Sequence, residues 1–144
     1  MKKLVLACVL IAAVSVAVTR FEFRDEAVVR SAAGSSRTVA EAMEHRRSNV
    51  VVEGHGVVAK ILPDDNNGSR HQRFILRLPT GGTVLIAHNI DLAPRIQSLR
   101  TGDTVSFQGE YKWNAKGGLI HWTHHDPDGR HPGGWLEHEG KTFE

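Results

Sequence analysis

The alternation of apolar and polar residues after position 49 constrains the fold of this 144-residue chain more than any other feature. Alternation with a period of two indicates β-strands that are buried on one face. Glycines 54 and 56 interrupt the first run and predict a bend or bulge there. The five predicted strands cover residues 50–62, 71–78, 83–88, 104–114 and 119–125.

A short helix is expected between the third and fourth strands. Asp91 can cap it, and Leu92, Ile96 and Leu99 would form its apolar side. The prediction has five strands, with a bend in the first and a helix before the fourth. This is the order of elements in the OB-fold. We therefore predict a mainly β domain, a small five-stranded OB-like barrel over residues 49–144. Another small antiparallel barrel or sandwich is the alternative.

The N-terminal segment has the features of an export signal. Two lysines precede an apolar run, and small residues at Ser15 and Ala17 favour cleavage after Ala17. The apolar stretch is shorter than the roughly 18 to 20 residues that span a bilayer, so an uncleaved inner-membrane anchor is the alternative. We expect residues 1–17 to be a signal peptide and residues 18–48 to be a linker with a short helix. The helix begins with the capping box of Thr38 and Glu41.

Cleavage would leave a periplasmic or secreted protein without stable membrane association. It would remove Cys8, the single cysteine, and with it any disulfide or thiolate chemistry. It would also remove two of the eighteen basic residues, so that sixteen remain against sixteen acids. A net charge of zero argues against a general polyanion-binding protein.

Three stretches resemble an uncharacterised family of small exported bacterial proteins, a domain-of-unknown-function family. They are "HQRFIL" at 71–76, "IAHNIDLAPRI" at 86–96 and "GEYKWNAKGGLIHWTHHDPDGRHPGGWLEHEGK" at 109–141. The last stretch contains the signature HWTHHDP-x-GRH-x-GGW. The resemblance covers about Asn49 to Glu144 and implies export and a small OB-like barrel. It implies no activity, so function has to be argued from the residues.

Imidazoles and carboxylates are concentrated in residues 119–138. If the fifth strand continues to its predicted end, His121 and His125 share its outer face and Asp126 follows directly. We predict these three as ligands of a divalent metal ion, Zn²⁺, Mg²⁺ or Mn²⁺. Such a metal polarises a phosphoryl oxygen or activates a water. His124 or His131 would then serve as the general base.

The basic middle of the chain offers groups for a phosphate substrate. Arg73 is predicted to clamp a phosphate, since guanidinium groups match phosphate geometry. The further predicted substrate contacts are His71, Arg77, His88 and Lys112. These residues lead to the hypothesis of an exported, metal-dependent phosphodiesterase or nuclease that acts on nucleic acid.

Two alternatives stay open at this point. The histidine block matches no established metal motif, and "HHDP" can be a turn in which Asp126 accepts backbone amides while histidines pack on Trp122. Trp122, Tyr111 and Trp113 are expected in the core. The chain would then be a non-catalytic OB module of the cell envelope that binds an oligonucleotide, an oligosaccharide or a metal ion.

Overall fold

A computed structural model of the protein describes residues 37–144. The predicted signal peptide and most of the predicted linker lie outside the described residues. Residues 37–144 form one helix and eight strands: β1 Arg37–Thr38, α1 Val39–Glu44, β2 Val50–Asp65, β3 His71–Arg77, β4 Thr83–Asn89, β5 Thr104–Lys112, β6 Leu119–His121, β7 Trp135–His138 and β8 Lys141–Phe143. In this part of the chain, no helix is long and apolar enough to cross a membrane.

Five of the strands form a closed ring. Strand β2 pairs antiparallel with β3, β3 with β4, and β5 with both β6 and β2, whereas β4 and β6 run parallel. The resulting barrel-like sheet has the strand order of an OB-fold, which confirms the predicted fold class. Strands β7 and β8 form a hairpin that extends the sheet from β5.

Strand β2 bends so that it can serve both sides of the ring. Its first half pairs with β5 and its second half with β3, and the changeover is at Val57. Gly56 lies just before this point, where a Cβ atom would come within 2.8 Å of the carbonyl oxygen of Arg77. The close approach of the two backbones explains why a glycine interrupts the strand.

The barrel interior is filled by the residues that the alternation predicted. Burial alternates along β3, β4 and β5, and the largest fully buried side chains include Tyr111, Phe74, Phe107, Leu76 and Ile86. Trp113 is an exception to the prediction, because its side chain is 37% exposed. The Arg46 guanidinium lies 5.2 Å from the centre of its ring. Helix α1 has the predicted capping box at Thr38.

The predicted helix between the third and fourth strands is not formed, and residues 90–103 consist of turns and irregular chain. Pro94 lacks an N–H and disfavours helical geometry in the residue before it. Asp91 does not cap a helix, since its carboxylate accepts hydrogen bonds from the backbone N–H and Nε of Arg70, at 2.8 and 2.7 Å. The side-chain amide of Gln72 binds both the N–H and the carbonyl of Ile96, at 3.0 Å each.

The fifth strand of the ring is shorter than predicted. Strand β6 ends at His121, because Trp122 has the left-handed backbone angle φ of 54°. The alternation is lost after this point, so that Thr123 and His124 are both buried. Trp122 is only half-buried. The assumption that the pleat continues to residue 125 was therefore wrong, and with it the predicted shared face of His121 and His125.

Candidate functional site

A cleft of about 190 Å³ lies on the outer surface of the barrel, where β3 begins and β4 ends. His71 and Asn89 are cross-strand partners at this end of the two strands. The chain that follows β6 brings further side chains to the cleft. The residues that line it are Ser69, His71, Ala87, Asn89, Leu92, His121, Trp122 and His124. We call it the histidine cleft. In OB-folds, the face of the second and third barrel strands is where oligonucleotides and oligosaccharides bind.

Two of the cleft imidazoles are held in the same tautomer. The Nδ1 atom of His71 lies 2.8 Å from the carbonyl oxygen of Ser69, and that of His124 lies 2.8 Å from the carbonyl oxygen of His125. A carbonyl oxygen only accepts, so Nδ1 donates its proton in both rings. In the neutral ring, Nε2 then carries a lone pair. Among residues 37–144, neither Nε2 atom has a hydrogen-bond partner.

The third imidazole, His121, is fixed by a carboxylate. Its Nε2 atom lies 3.1 Å from Oε1 of Glu110, its cross-strand partner on β5. The other oxygen of Glu110 accepts from Nε2 of His131 at 2.8 Å. Gly109 allows this arrangement, since a Cβ atom there would collide with the side chains of Ile120 and Thr123. One carboxylate thus joins two histidines beside the cleft.

Burial and hydrogen bonding shift the pKa values of these groups. Burial by itself would raise the pKa of Glu110, but the hydrogen bonds from His131 and His121 and their charges outweigh it and lower the pKa. Burial lowers the pKa of His121, although the hydrogen bond and charge of Glu110 oppose the shift. Below the cleft, burial is also the main cause that lowers the pKa of His88 to about 4.

The loop after His124 is organised around Asp126 and Trp122. The Asp126 carboxylate accepts the backbone N–H groups of residues 128, 130 and 131 at 3.1, 2.7 and 2.7 Å. The ring of His131 stacks on Trp122 with 4.0 Å between centroids and 11° between planes. The structure contains the hydrogen-bonded turn of the alternative view, and one of the two "HHDP" histidines, His124, lies against Trp122 with 5.3 Å between ring centroids and 35° between planes, whereas His125 is exposed. The residues just before this loop, Trp122 and His124, line the cleft.

The predicted metal ligands are used in different ways. His121 binds Glu110, the His125 side chain is exposed, and Asp126 holds the loop. Within the described part of the chain, no group of three or more histidine, cysteine, aspartate or glutamate residues is placed to hold a metal ion. Of the ten predicted site residues, His71, His121 and His124 come together in the cleft.

The remaining predicted residues do not line the cleft. Arg73 donates from Nε to the carbonyl oxygen of Pro63 at 3.0 Å, and Arg77 is at the opposite end of β3 from His71. Lys112 is exposed on β5. His88 was expected to contact substrate, but it is fully buried, with Nδ1 2.8 Å from Thr123 Oγ1 and Nε2 3.1 Å from the Pro94 carbonyl oxygen. It faces inward because it is one residue out of phase with Asn89.

The sequence prediction missed the roles of Glu110 and Trp122. Glu110 was not among the predicted site residues, because its contact with His121 depends on the register of β5 with β6 and its contact with His131 on the path of the loop. Trp122 was assigned to the core because the strand was expected to continue past it, and its left-handed backbone has no signal in the sequence. Asn89 could be located from the sequence, because it directly follows the predicted third strand.

A family model matches residues 25–144, with the description "Protein of unknown function (DUF3465)". The chain belongs to this family. The match confirms the resemblance that the sequence suggested, and it includes every residue of the histidine cleft. No curated protein and no solved structure matches the chain.

Proposed function

We propose that the protein is an exported phosphodiesterase that cleaves nucleic acid in the histidine cleft. One observation carries the proposal. His71 and His124 line the same cleft, and each has Nδ1 held by a carbonyl oxygen while Nε2 has no partner among the described residues. At Nε2, a neutral ring of this kind can take a proton from a nucleophile, and a second ring that is protonated there can give a proton to a leaving oxygen.

The other cleft residues support a nucleotide ligand. Trp122 offers an aromatic surface for a base, and Asn89 offers an amide that both donates and accepts. His121 is held in place by Glu110 and adds a third imidazole. The cleft lies on the face that OB-folds use for oligonucleotides, which is support at the level of the fold only.

The proposed chemistry is proton transfer by imidazoles. It differs from the sequence prediction of a metal ion bound by His121, His125 and Asp126. Three backbone amides already engage the Asp126 carboxylate and occupy three of its roughly four lone-pair positions. A dependence on Zn²⁺, Mg²⁺ or Mn²⁺ is tested directly in the experiment below. The ligands would then be cleft imidazoles.

The test is a cleavage assay with the full chain on single- and double-stranded DNA and RNA, with each metal and with chelator. His71→Ala and His124→Ala should each lower the rate by about 100-fold or more, as expected for the loss of one proton-transfer group. His45→Ala is the matched control, because His45 is exposed on the C-terminal cap of α1. Equal rates in all four proteins would overturn the assignment of the site. If the protein is folded but cleaves none of these substrates, the proposed phosphodiesterase activity is wrong.

A non-catalytic OB module is the second candidate function. The observation that favours it is the absence of lysine and arginine from the described lining of the cleft, which suits an uncharged ligand such as an oligosaccharide. Affinity for single strands that falls steeply with salt would instead identify a polyanion-binding site. Binding without cleavage, lost in the His71→Ala variant, would support this candidate.

A further inference from the structure

We infer that the substrate class is single-stranded RNA, with the substrate's own 2′-hydroxyl as the nucleophile. The inference rests on the proposed function and adds the source of the attacking oxygen. It follows from the pair of imidazoles, from the size of the cleft and from the position of Trp122.

The cleft supplies proton transfer but few positive charges. His71 and His124 offer Nε2 atoms, whereas no lysine or arginine is among the described lining residues. General acid–base catalysis contributes about 10²- to 10⁴-fold. A nucleophile that is already attached to the substrate adds effective molarities of about 10⁵ to 10⁸ M in well-oriented cases. RNA carries such a nucleophile next to each phosphate, and DNA does not.

The cleft fits part of one nucleotide. Its volume of about 190 Å³ is below the roughly 300 to 1,000 Å³ of pockets that enclose a drug-sized ligand. His131 stacks on Trp122 and the ring of His124 lies 5.3 Å from it, so the part of Trp122 that lines the cleft is where an unstacked base can make contact. A base held in this way has to come from a single strand or a loop, because bases in a duplex are stacked on their neighbours.

The proposed step is balanced without water or an added reactant. Nε2 of one neutral imidazole accepts the proton of the 2′-hydroxyl while the 2′-oxygen forms a bond to phosphorus. The bond from phosphorus to the 5′-oxygen breaks, and the leaving oxygen takes its proton from the other, protonated imidazole. The products are a 2′,3′-cyclic phosphate and a free 5′-hydroxyl.

The test compares four versions of one oligonucleotide, cut by the full chain in the presence of chelator. They are all RNA, all DNA, DNA with a single ribonucleotide, and the same chimera with a 2′-O-methyl group on that nucleotide. We expect cleavage of the RNA, and of the chimera only on the 3′ side of its ribonucleotide. The methylated chimera should react at least about 1,000-fold more slowly. Mass spectrometry should find a terminus one water lighter than a 3′-phosphate.

Other outcomes separate the two proposals. Cleavage of DNA at a comparable rate, or products with a 5′-phosphate, would overturn the 2′-hydroxyl inference and leave a phosphodiesterase. No cleavage of any of the four, either with chelator or with Zn²⁺, Mg²⁺ or Mn²⁺ added, would overturn both. His71→Ala and His124→Ala, purified in parallel with His45→Ala, exclude a contaminating ribonuclease, since only the first two should lose activity.

Discussion

At the scale of single residues, Glu110 holds two histidines in place by hydrogen bonds. Nδ1 of His131 lies 2.7 Å from the carbonyl oxygen of Pro132, and Nε2 lies 2.8 Å from the Glu110 carboxylate. Both partners only accept, so this geometry fits a ring that carries both protons. With both protons present, His131 forms an ion pair with Glu110, whose side chain is 14% exposed. The stacked ring of Trp122 shields it from water on one side.

Replacement of Glu110 by glutamine should therefore destabilise the protein. The variant loses the negative charge that His131 and His121 share, and its amide nitrogen would face an N–H. Hydrogen bonds to charged groups contribute about 1.5 to 3 kcal/mol, so we expect the free energy of unfolding to fall by roughly 1 to 3 kcal/mol. Urea denaturation at pH 7 measures it. Glu137→Gln is the control, because Glu137 is exposed on β7, and an equal loss there would contradict the assignment.

Sequence reasoning found the chemical groups of the site better than their arrangement. His71, His121 and His124 could be selected because imidazoles in and after strands on a ligand-binding face are readily identified. The partners of each ring depend on register and loop conformation. Asp126 lies beside the histidines in the sequence and was chosen as a metal ligand, yet backbone amides of its own loop take its carboxylate.

At the scale of elements, the segment 90–103 shows how side chains can replace a helix. Gln72 is 2% exposed and points from β3 into the barrel, where its amide pairs with the backbone of Ile96 as a neighbouring strand would. His88 and the Pro94 carbonyl make a second connection to the same segment. The segment closes this side of the core, because Ile96 and Leu99 are buried.

The variant Gln72→Ala should lose both hydrogen bonds to Ile96. Its backbone N–H and carbonyl would then be buried without partners, at a cost of about 1 to 3 kcal/mol for each group. We expect a fall of roughly 2 to 4 kcal/mol in the free energy of unfolding and faster hydrogen exchange at the Ile96 amide. Gln97→Ala changes an exposed glutamine of the same segment and should change stability by less than about 0.5 kcal/mol. Slow exchange at Ile96 in Gln72→Ala would refute this account.

Strands were predictable in this chain because alternation reports which face is buried, and burial in β3, β4 and β5 follows it residue by residue. The irregular path of residues 90–103 was not predictable in the same way. Leu92, Ile96 and Leu99 have helical spacing, but Pro94 and the long-range bonds to Gln72 and His88 favour an irregular path. The early end of β6 depends on the backbone of one residue, Trp122, which packs on His131.

At the scale of the whole molecule, most of the pKa shifts indicate that the fold loses stability in acid. The pKa values of Glu110, Asp103 and Asp126 are lowered by their hydrogen-bond donors, although burial opposes this and is the largest single effect at Glu110. The stability that these groups contribute is present at neutral pH and is lost as the pH falls through their folded values. His88 affects stability at a higher pH than these carboxylates do. Burial keeps its imidazole neutral in the folded protein down to a pKa of about 4.

Between pH 6.5 and about 4, the unfolded chain binds a proton at His88 that the folded protein excludes. The free energy of unfolding must therefore fall with decreasing pH in this window, by at most about 1.4 kcal/mol per pH unit and roughly 3 kcal/mol in total. His121, whose pKa is also lowered, adds to the fall. His88→Gln should be less stable at pH 8, since it loses the contacts with Thr123 and Pro94, but its stability should vary less with pH.

The decisive quantity is the slope between pH 6.5 and 4, measured by urea denaturation for the wild type, His88→Gln and His45→Gln. A smaller slope in His88→Gln alone would show that the buried imidazole beneath the cleft makes the fold sensitive to mild acid. It is the slope and not the absolute stability that carries this conclusion, because any change in the core can lower stability at every pH. If the three slopes agree, His88 takes up its proton in the folded protein near its ordinary pKa, and the barrel below the histidine cleft admits charge more readily than its burial indicates.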